Sequence, residues 1–404
     1  DGNFILNVGS KEAILEISYI GYQGQSLKVT PGKTLSVVLK EDTQSLDEVV
    51  VVGFGVQKKA NLTGAVSQVK MDDVLGSRPV VNAMSALQGA MPGLQITPNN
   101  DAAGPGQSKS FNIRGTTSIN GGGPLVLIDN VPGDIDMLNP EDIESLSVLS
   151  GPSAAALYGS SAANGVILIT TKKGKEGKLS VQFSSSSEFS KAYMTPEFQN
   201  TYGNKKDMYE SWGEKLLTPT SYDPKKDFFN TGTNFINSVT LTTGTKSNQT
   251  FASVSSTNSK GIVPNNEYER LNFTIRNTAT FLNDKLQLDL GASYVKQKDK
   301  NMVSQGQYWN PVMAAYLFPR GEDFDGIKSF EHFDESRQLP VQYWPVADPV
   351  YASQNPYWTA YRNVATNEKS RYMFNVGLTY NITDWLNATA RFRMDDTHVL
   401  FERK

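Results

Sequence analysis

His332 stands between Glu331 and Asp334, and an imidazole among carboxylates is the grouping a general base needs. No strained nucleophile turn accompanies it, so a solvated loop histidine is the competing reading. Asp323, Asp325 and Gly326 spell the middle of a calcium loop. The first-ligand position of such a loop falls on Gly321 and the twelfth on His332, where oxygen ligands are required. The chain has 0 Cys and 2 His, which removes disulfides, thiolate metal sites, cysteine nucleophiles and three-histidine centres. A phosphate-binding G-x-x-x-x-G-K-[ST] loop, a G-x-G-x-x-G turn and an H-E-x-x-H helix are all missing. No catalytic constellation survives, so an enzyme is not expected, nor a cofactor or a metal.

Two other groups of residues carry physical meaning. Trp309, Trp344 and Trp358 lie in residues 305–362 with Tyr308, Tyr316, Phe318, Tyr343, Tyr351, Tyr357 and Tyr361. Aromatics at this density stack on sugar rings or anchor a protein partner, or else pack a loop and supply an interfacial girdle. The second group is Val49, Val50, Val51 and Val52, followed by Gly53, Phe54 and Gly55, with acids before and lysines after. β-branched residues in a row favour extended backbone. The run reads either as a buried strand or as a segment that pairs with another protein's sheet edge.

The elements that must position these groups follow from length and pattern. The chain has 404 residues, with 38 Lys+Arg against 41 Asp+Glu and a formal charge of -3. That suggests two or three domains and argues against nucleic acid as a partner. No apolar run reaches the ~18 residues of a spanning helix, a fact equally compatible with a transmembrane β-barrel. Residues 4–8, 14–19 and 35–39 read as short strands, the end of a small β-sandwich. No basic segment followed by an apolar one opens the chain, so a signal peptide is not expected. Residues 41–48 are polar and linker-like.

From residue 61 to about 177 the pattern is mixed α/β. Asn82 is predicted to cap a helix reaching Met91, Asn139 with Pro140 to start another, and residues 153–158 to form a third. Residues 125–128 and 165–171 are predicted strands. After Lys178 apolar residues alternate with polar ones, as in Leu179/Val181/Phe183, Leu271/Phe273/Ile275, Leu286/Leu288/Leu290, Tyr372/Phe374/Val376 and Leu386/Ala388/Ala390. Weaker alternation occurs at Val239/Leu241 and Ala252/Val254. About seven candidate strands result, each near the ~10 residues that cross a bilayer at a tilt, with Asn283-Asp284 as a short turn.

Ser45-Leu46-Asp47-Glu48-Val49-Val50-Val51-Val52-Gly53-Phe54-Gly55 resembles the Ton box of SusC/RagA-type TonB-dependent outer-membrane transporters. Asn112-Ile113-Arg114-Gly115 with Ser118-Ile119-Asn120 resembles their plug motif, as does Pro124 through Asp129 to Pro132. The longest likeness runs from Asn139-Pro140-Glu141-Asp142 through Leu157-Tyr158-Gly159 to Asn164-Gly165 and on to Gly174. Asn355-Pro356-Tyr357-Trp358 and Asn381-Ile382-Thr383-Asp384-Trp385-Leu386 are similar to the family's early barrel.

The resemblance implies a β-rich membrane protein. Residues 1–40 would be the end of a carboxypeptidase-regulatory-like β-sandwich, 41–60 the linker with the Ton box, 61–177 an α/β plug domain, and 178–404 the first third of an antiparallel barrel with extracellular loops. A plugged barrel of about 22 strands needs roughly 220 residues in its walls alone, so both ends of a longer protein are expected beyond this chain. The function implied is active import of a nutrient, most often an oligosaccharide, across the outer membrane of a Bacteroidota-type Gram-negative bacterium. TonB, energised by ExbB/ExbD, would pull from the periplasm, and a SusD-like lipoprotein would cap the barrel. An oligopeptide importer and a non-transporting surface adhesin or glycan-binding protein are the alternatives. Asp47, Glu48, Val49, Val50, Val51, Val52, Gly53, Phe54 and Gly55 would carry coupling. Asn112, Ile113, Arg114, Gly115, Asp129, Gly159, Asn164 and Gly165 would shape the plug. Trp309, Trp344 and Trp358 are the candidate ligand or partner contacts.

Overall fold

The computed structural model describes residues 13–17, 25–29, 37, 49–52, 55–58, 66–76, 80–98, 109–113, 115, 122–149, 152–303, 306, 308–346, 353–383 and 385–404. The chain divides into two compact units, Asp1–Thr63 and Gly64–Lys404. In the first unit β1 (Ala13–Ile17) pairs antiparallel with β2 (Gln25–Val29), and β3 (Val49–Val52) pairs antiparallel with β4 (Gly55–Lys58). The strands expected at residues 4–8 and 35–39 lie outside the described residues, apart from Val37, which is in no strand. β2 was not legible from alternation.

The second unit opens with an α/β domain. Its strands are β5 (Val66–Lys70), β6 (Leu94–Pro98), β7 (Lys109–Ile113), β8 (Leu125–Ile128), β9 (Val131–Pro132), β10 (Ile143–Leu149) and β11 (Val166–Thr171). Five form one sheet in the order β5-β10-β11-β8-β9, with β11 parallel to β8, while β6 and β7 pair separately. The helices are α1 (Met71–Leu75), α2 (Ala83–Leu87) and α3 (Pro152–Tyr158). Met71, Met84 and Leu87 bury against Ile143, Leu146 and Ile167, so helix and sheet share one apolar core.

Two helix expectations are corrected here. α2 stops at Leu87 rather than Met91, and Gly89 turns with φ +79°. Ending early lets Leu94 and Ile96 enter the core from β6, and Met91 from the bend before it, instead of from a helix face. Asn82 does cap α2, accepting from the Met84 amide at 2.8 Å. The helix start at Asn139-Pro140 is a single 3-10 turn, Pro140–Asp142, followed at once by β10. Pairing of β10 with both β5 and β11 outweighs one turn of helix signal. The third expected helix is present as α3, and a 3-10 turn (Gly159–Ala162) follows it.

The rest of the chain builds one long-stranded sheet. β12 (Gly177–Ser190), α4 (Pro224–Asp227), β13 (Gly232–Gly244), β14 (Asn248–Lys260), β15 (Glu267–Phe281) and β16 (Leu286–Lys300) come first. α5 (Pro311–Leu317), a small hairpin of β17 (Glu331–Asp334) and β18 (Leu339–Gln342), and α6 (Pro356–Tyr361) fill the next connection, before β19 (Ala365–Thr383) and β20 (Leu386–Arg403). The order β12-β13-β14-β15-β16-β19-β20 is an antiparallel meander of seven strands. β13 has 13 residues and β19 has 19, longer than the apolar alternation alone suggested.

One face of this sheet carries Leu179, Val181, Phe183, Leu271, Phe273, Ile275, Phe374 and Leu378, all exposed. On the opposite face the neighbouring residues Ser253, Ser255, Arg270, Asn272 and Arg276 are buried. Apolar outside and polar inside, with a period of two, is the pattern of a transmembrane barrel wall. Tight turns join β13 to β14, β15 to β16 and β19 to β20 at one end. The long connections 191–231 and 301–364 leave the other end. They share a second core, in which Tyr222, Phe228, Phe318, Phe324 and Ile327 are buried together.

Candidate functional site

The polar face of the long sheet meets the α/β domain along a row of arginines. β8 and β9 form a hairpin in which Ile128 lies opposite Val131. The two residues between them, Asp129 and Asn130, have φ of 48° and 69°. Positive φ at both positions is the geometry of a tight hairpin turn, which Asp and Asn tolerate. The turn leaves the Asp129 carboxylate accepting from the Thr171 amide at 3.0 Å and the Thr171 hydroxyl at 2.6 Å.

Arg276 of β15 completes this corner. Its Nη1 donates to Asp129 Oδ2 at 2.9 Å and also to the Thr171 hydroxyl. Its Nε donates to Asp289 Oδ1 of β16 at 3.1 Å, and Lys173 Nζ stands 3.1 Å from the same carboxylate's Oδ2. The Arg276 side chain is only 9% exposed. A buried guanidinium held between two carboxylates avoids the cost of an unpaired charge and fixes both elements to it.

Three more arginines grip the next residues of the same segment. Arg393 Nη1 donates to the Ile128 carbonyl at 3.1 Å, Arg371 Nη1 to the Asp134 carbonyl at 3.2 Å, and Arg270 Nη1 to the Asp136 carbonyl at 3.1 Å. Asp395 bridges two of them, accepting from Arg371 Nε and Nη2 at 2.7 and 2.6 Å and from Arg393 Nη2 at 3.1 Å. Residues 128–136 are thus clamped from three strands, β15, β19 and β20. Hydrogen bonds to a charged donor are worth more than neutral ones, and backbone carbonyls need no particular side chain. A second contact lies beside the clamp. Thr274 donates to Asp142 Oδ2 at 2.8 Å, and Ser238 bonds the Glu141 carboxylate.

Burial pushes the Asp142 carboxyl above its ordinary value, although bonds from Thr274 and Asn139 favour the ionised form. Asp136 moves the same way, chiefly through burial, while its bond from Asn82 opposes the shift.

The residues singled out in the sequence fall in several places. Val49, Val50, Val51 and Val52 form β3, and Gly55 opens β4. Asp47, Glu48, Gly53, Phe54 and Arg114 lie outside the described residues. Asn112 and Ile113 end β7, opposite Gln95 and Leu94. Gly115 follows with φ +91°, and Gly159 turns the chain after α3 with φ +72°. Asn164 Nδ2 donates to the Gly122 carbonyl at 2.9 Å. Gly165 has φ +94°, and a Cβ there would stand 2.7 Å from Ile113 Cδ1, so glycine is required for the close approach. Asp129 alone among these residues joins the clamp.

The tryptophans are half-buried. Trp344 packs on Phe318 and its Nε1 donates to the Tyr209 hydroxyl at 2.8 Å. Trp309 lies 4.8 Å from the Arg403 guanidinium, and Trp358 sits in the first turn of α6, where its amide donates to Asn355. Their neighbours Tyr308, Tyr343 and Tyr361 are exposed. The clamp arginines were missed in the sequence. The signal was their place on the polar side of alternating strands, since a charge within a membrane strand must turn inward.

Comparison with known proteins supplies the remaining context. Residues 58–166 match the family model described as TonB-dependent Receptor Plug Domain. The chain is 35% identical over 378 residues to TonB-dependent receptor SusC of Bacteroides thetaiotaomicron, covering 89% of this chain and 36% of that protein. It is 30% identical over 354 residues to TonB-dependent receptor P26 of Formosa agariphila, covering 83% of this chain and 34% of that one. The chain therefore spans about a third of the length of these curated relatives. Among solved structures, the RagAB peptide importer in the open-open state aligns with a TM-score of 0.63 at 21% identity, covering 87% of this chain and 42% of that one, a likeness of fold. No helix among the described residues is long and apolar enough to cross a membrane, which says nothing of crossing by strands.

Proposed function

The chain belongs to the SusC/RagA-type TonB-dependent receptors of the outer membrane, and from that premise we propose that the complete protein actively imports a nutrient across that membrane. The observation that carries the reading is the clamp. An α/β domain held on the polar face of the barrel strands by arginines would close the lumen of the complete barrel, yet every bond in the clamp is polar and reversible. Ligand would bind at the end of the long loops. TonB, energised by ExbB and ExbD, would take residues 47–55 by strand pairing and pull on the chain that leads to β5. This chain shows no nucleotide-binding motif, so the work of opening is assigned to that partner.

The cargo proposed is an oligosaccharide, with an oligopeptide as the second reading. Peptide import is the activity named for the RagAB structure, whose likeness to this chain is one of fold. The partner proposed is a SusD-like surface lipoprotein seated over the long loops. Trp309, Trp344 and Trp358 are proposed to brace those loops, with the exposed rings of Tyr308, Tyr343 and Tyr361 available to cargo or partner. Residues 1–40 are proposed as the end of a β-sandwich and 61–177 as the plug. The test is purification of the full-length protein from native outer membranes, with mass spectrometry of what accompanies it. Recovery of a stoichiometric surface lipoprotein is expected. Recovery of the barrel alone, without affinity for TonB, would overturn the reading.

A further inference from the structure

We infer that the coupling segment engages its partner as a preformed two-stranded hairpin, β3 with β4, rather than as a single extended strand. The inference rests on the coupling role proposed above for residues 47–55. The observation is the pairing itself: Val49 lies opposite Lys58, Val50 opposite Gln57, Val51 opposite Val56 and Val52 opposite Gly55. Half of the strand that is to be captured is therefore already ordered by the chain that follows it.

A strand has two hydrogen-bonding edges. β4 occupies one edge of β3, and among the described residues no strand occupies the other. A two-stranded ribbon is marginal in water, and a third strand is what makes such a sheet stable. The occupant that satisfies this need is the exposed edge of a partner's β-sheet, which supplies N–H and C=O groups in the same spacing. Four β-branched valines suit this use, because their backbone prefers the extended form before anything binds. In the hairpin, much of the ordering entropy of capture is spent before the encounter, and the partner gains two strands where a bare peptide would offer one. Lys58, the last residue of β4, would then lie within the docked sheet instead of trailing from it.

The test uses the full-length protein in detergent and the isolated C-terminal domain of TonB as probe, with affinity measured by calorimetry. Two proline pairs separate the strands: Val50→Pro with Val51→Pro in β3, and Val56→Pro with Gln57→Pro in β4. Adjacent prolines remove an inward-facing amide whichever way the strand is phased. A third variant, Val51→Cys with Val56→Cys, locks the hairpin at directly opposed positions, in a chain that has 0 Cys otherwise. The hairpin mode expects both proline pairs to weaken binding, the β4 pair by about tenfold or more, and the oxidised lock to bind at least as well as its reduced form. Unchanged affinity in the β4 pair, or binding lost on oxidation and restored by reductant, would overturn it in favour of a single strand. If the β3 pair also leaves affinity unchanged, the coupling role itself fails, and the hairpin inference with it.

Discussion

Replacing Arg276 by Met removes the central charge of the clamp while keeping most of its apolar length. Asp289 is 16% exposed and Asp129 31% exposed, so both carboxylates lose a partner in a site that water reaches poorly. Removing one member of a buried pair costs about 3–5 kcal/mol. The lower end applies here, because Asp129 keeps two bonds from Thr171 and Asp289 keeps Lys173. A loss of about 3 kcal/mol corresponds to roughly 150-fold easier opening. Hydrogen exchange across residues 128–136 reads this directly in the full-length protein, since amides protected by docking exchange faster by that factor. Adding Asp129→Asn to the substitution should cost less than the two separate losses, with a coupling of about 1–3 kcal/mol. In cells, the loosened domain should raise sensitivity to antibiotics too large for ordinary porins. Exchange within threefold of wild type over residues 128–136 would refute the clamp as the element that holds the domain in place.

Three further outcomes follow from the geometry. Gly165→Ala places a methyl group against Ile113 and the Leu149 carbonyl at φ +94°, so a loss of about 1–3 kcal/mol is expected, read as less folded protein in the outer membrane by heat-modifiable gel mobility. The folded-state pKa of Asp142 is raised, so the docked domain binds more protons than the undocked one. Docking should therefore strengthen as pH falls from neutral through that raised pKa and weaken as it rises again. Asp142→Asn should flatten this dependence, as followed by hydrogen exchange of β10. Asn355 is buried, its Nδ2 bonding the Ile327 and Tyr343 carbonyls and its Oδ1 the Tyr357 and Trp358 amides. Asn355→Ala should cost about 2–3 kcal/mol and speed proteolysis within residues 326–344 without unfolding the barrel strands.

The long sheet was legible because membrane and lumen impose opposite demands on alternate residues, as Leu271, Phe273 and Ile275 show against Arg270, Asn272 and Arg276. Strand length was not, because past the apolar band both faces are polar and the alternation fades, as at Lys296, Lys298 and Lys300 of β16. Asn139-Pro140 misled for a different reason: its cap chemistry serves one turn, and the strand beyond is decided by partners far along the chain. The clamp was hidden most deeply. Arg276 and Asp129 are separated by 147 positions, and a contact that distant leaves no local period to read.

Import energised through residues 47–55 is tested most directly by deleting those residues from the chromosomal copy. Growth is then compared with wild type and with a complete deletion, on oligosaccharides and oligopeptides as sole nutrients. The expected result is that the shortened protein reaches the outer membrane folded and in normal amount, while the strain fails on the same nutrients as the complete deletion. Normal growth of the shortened strain on a nutrient the complete deletion cannot use would contradict the account.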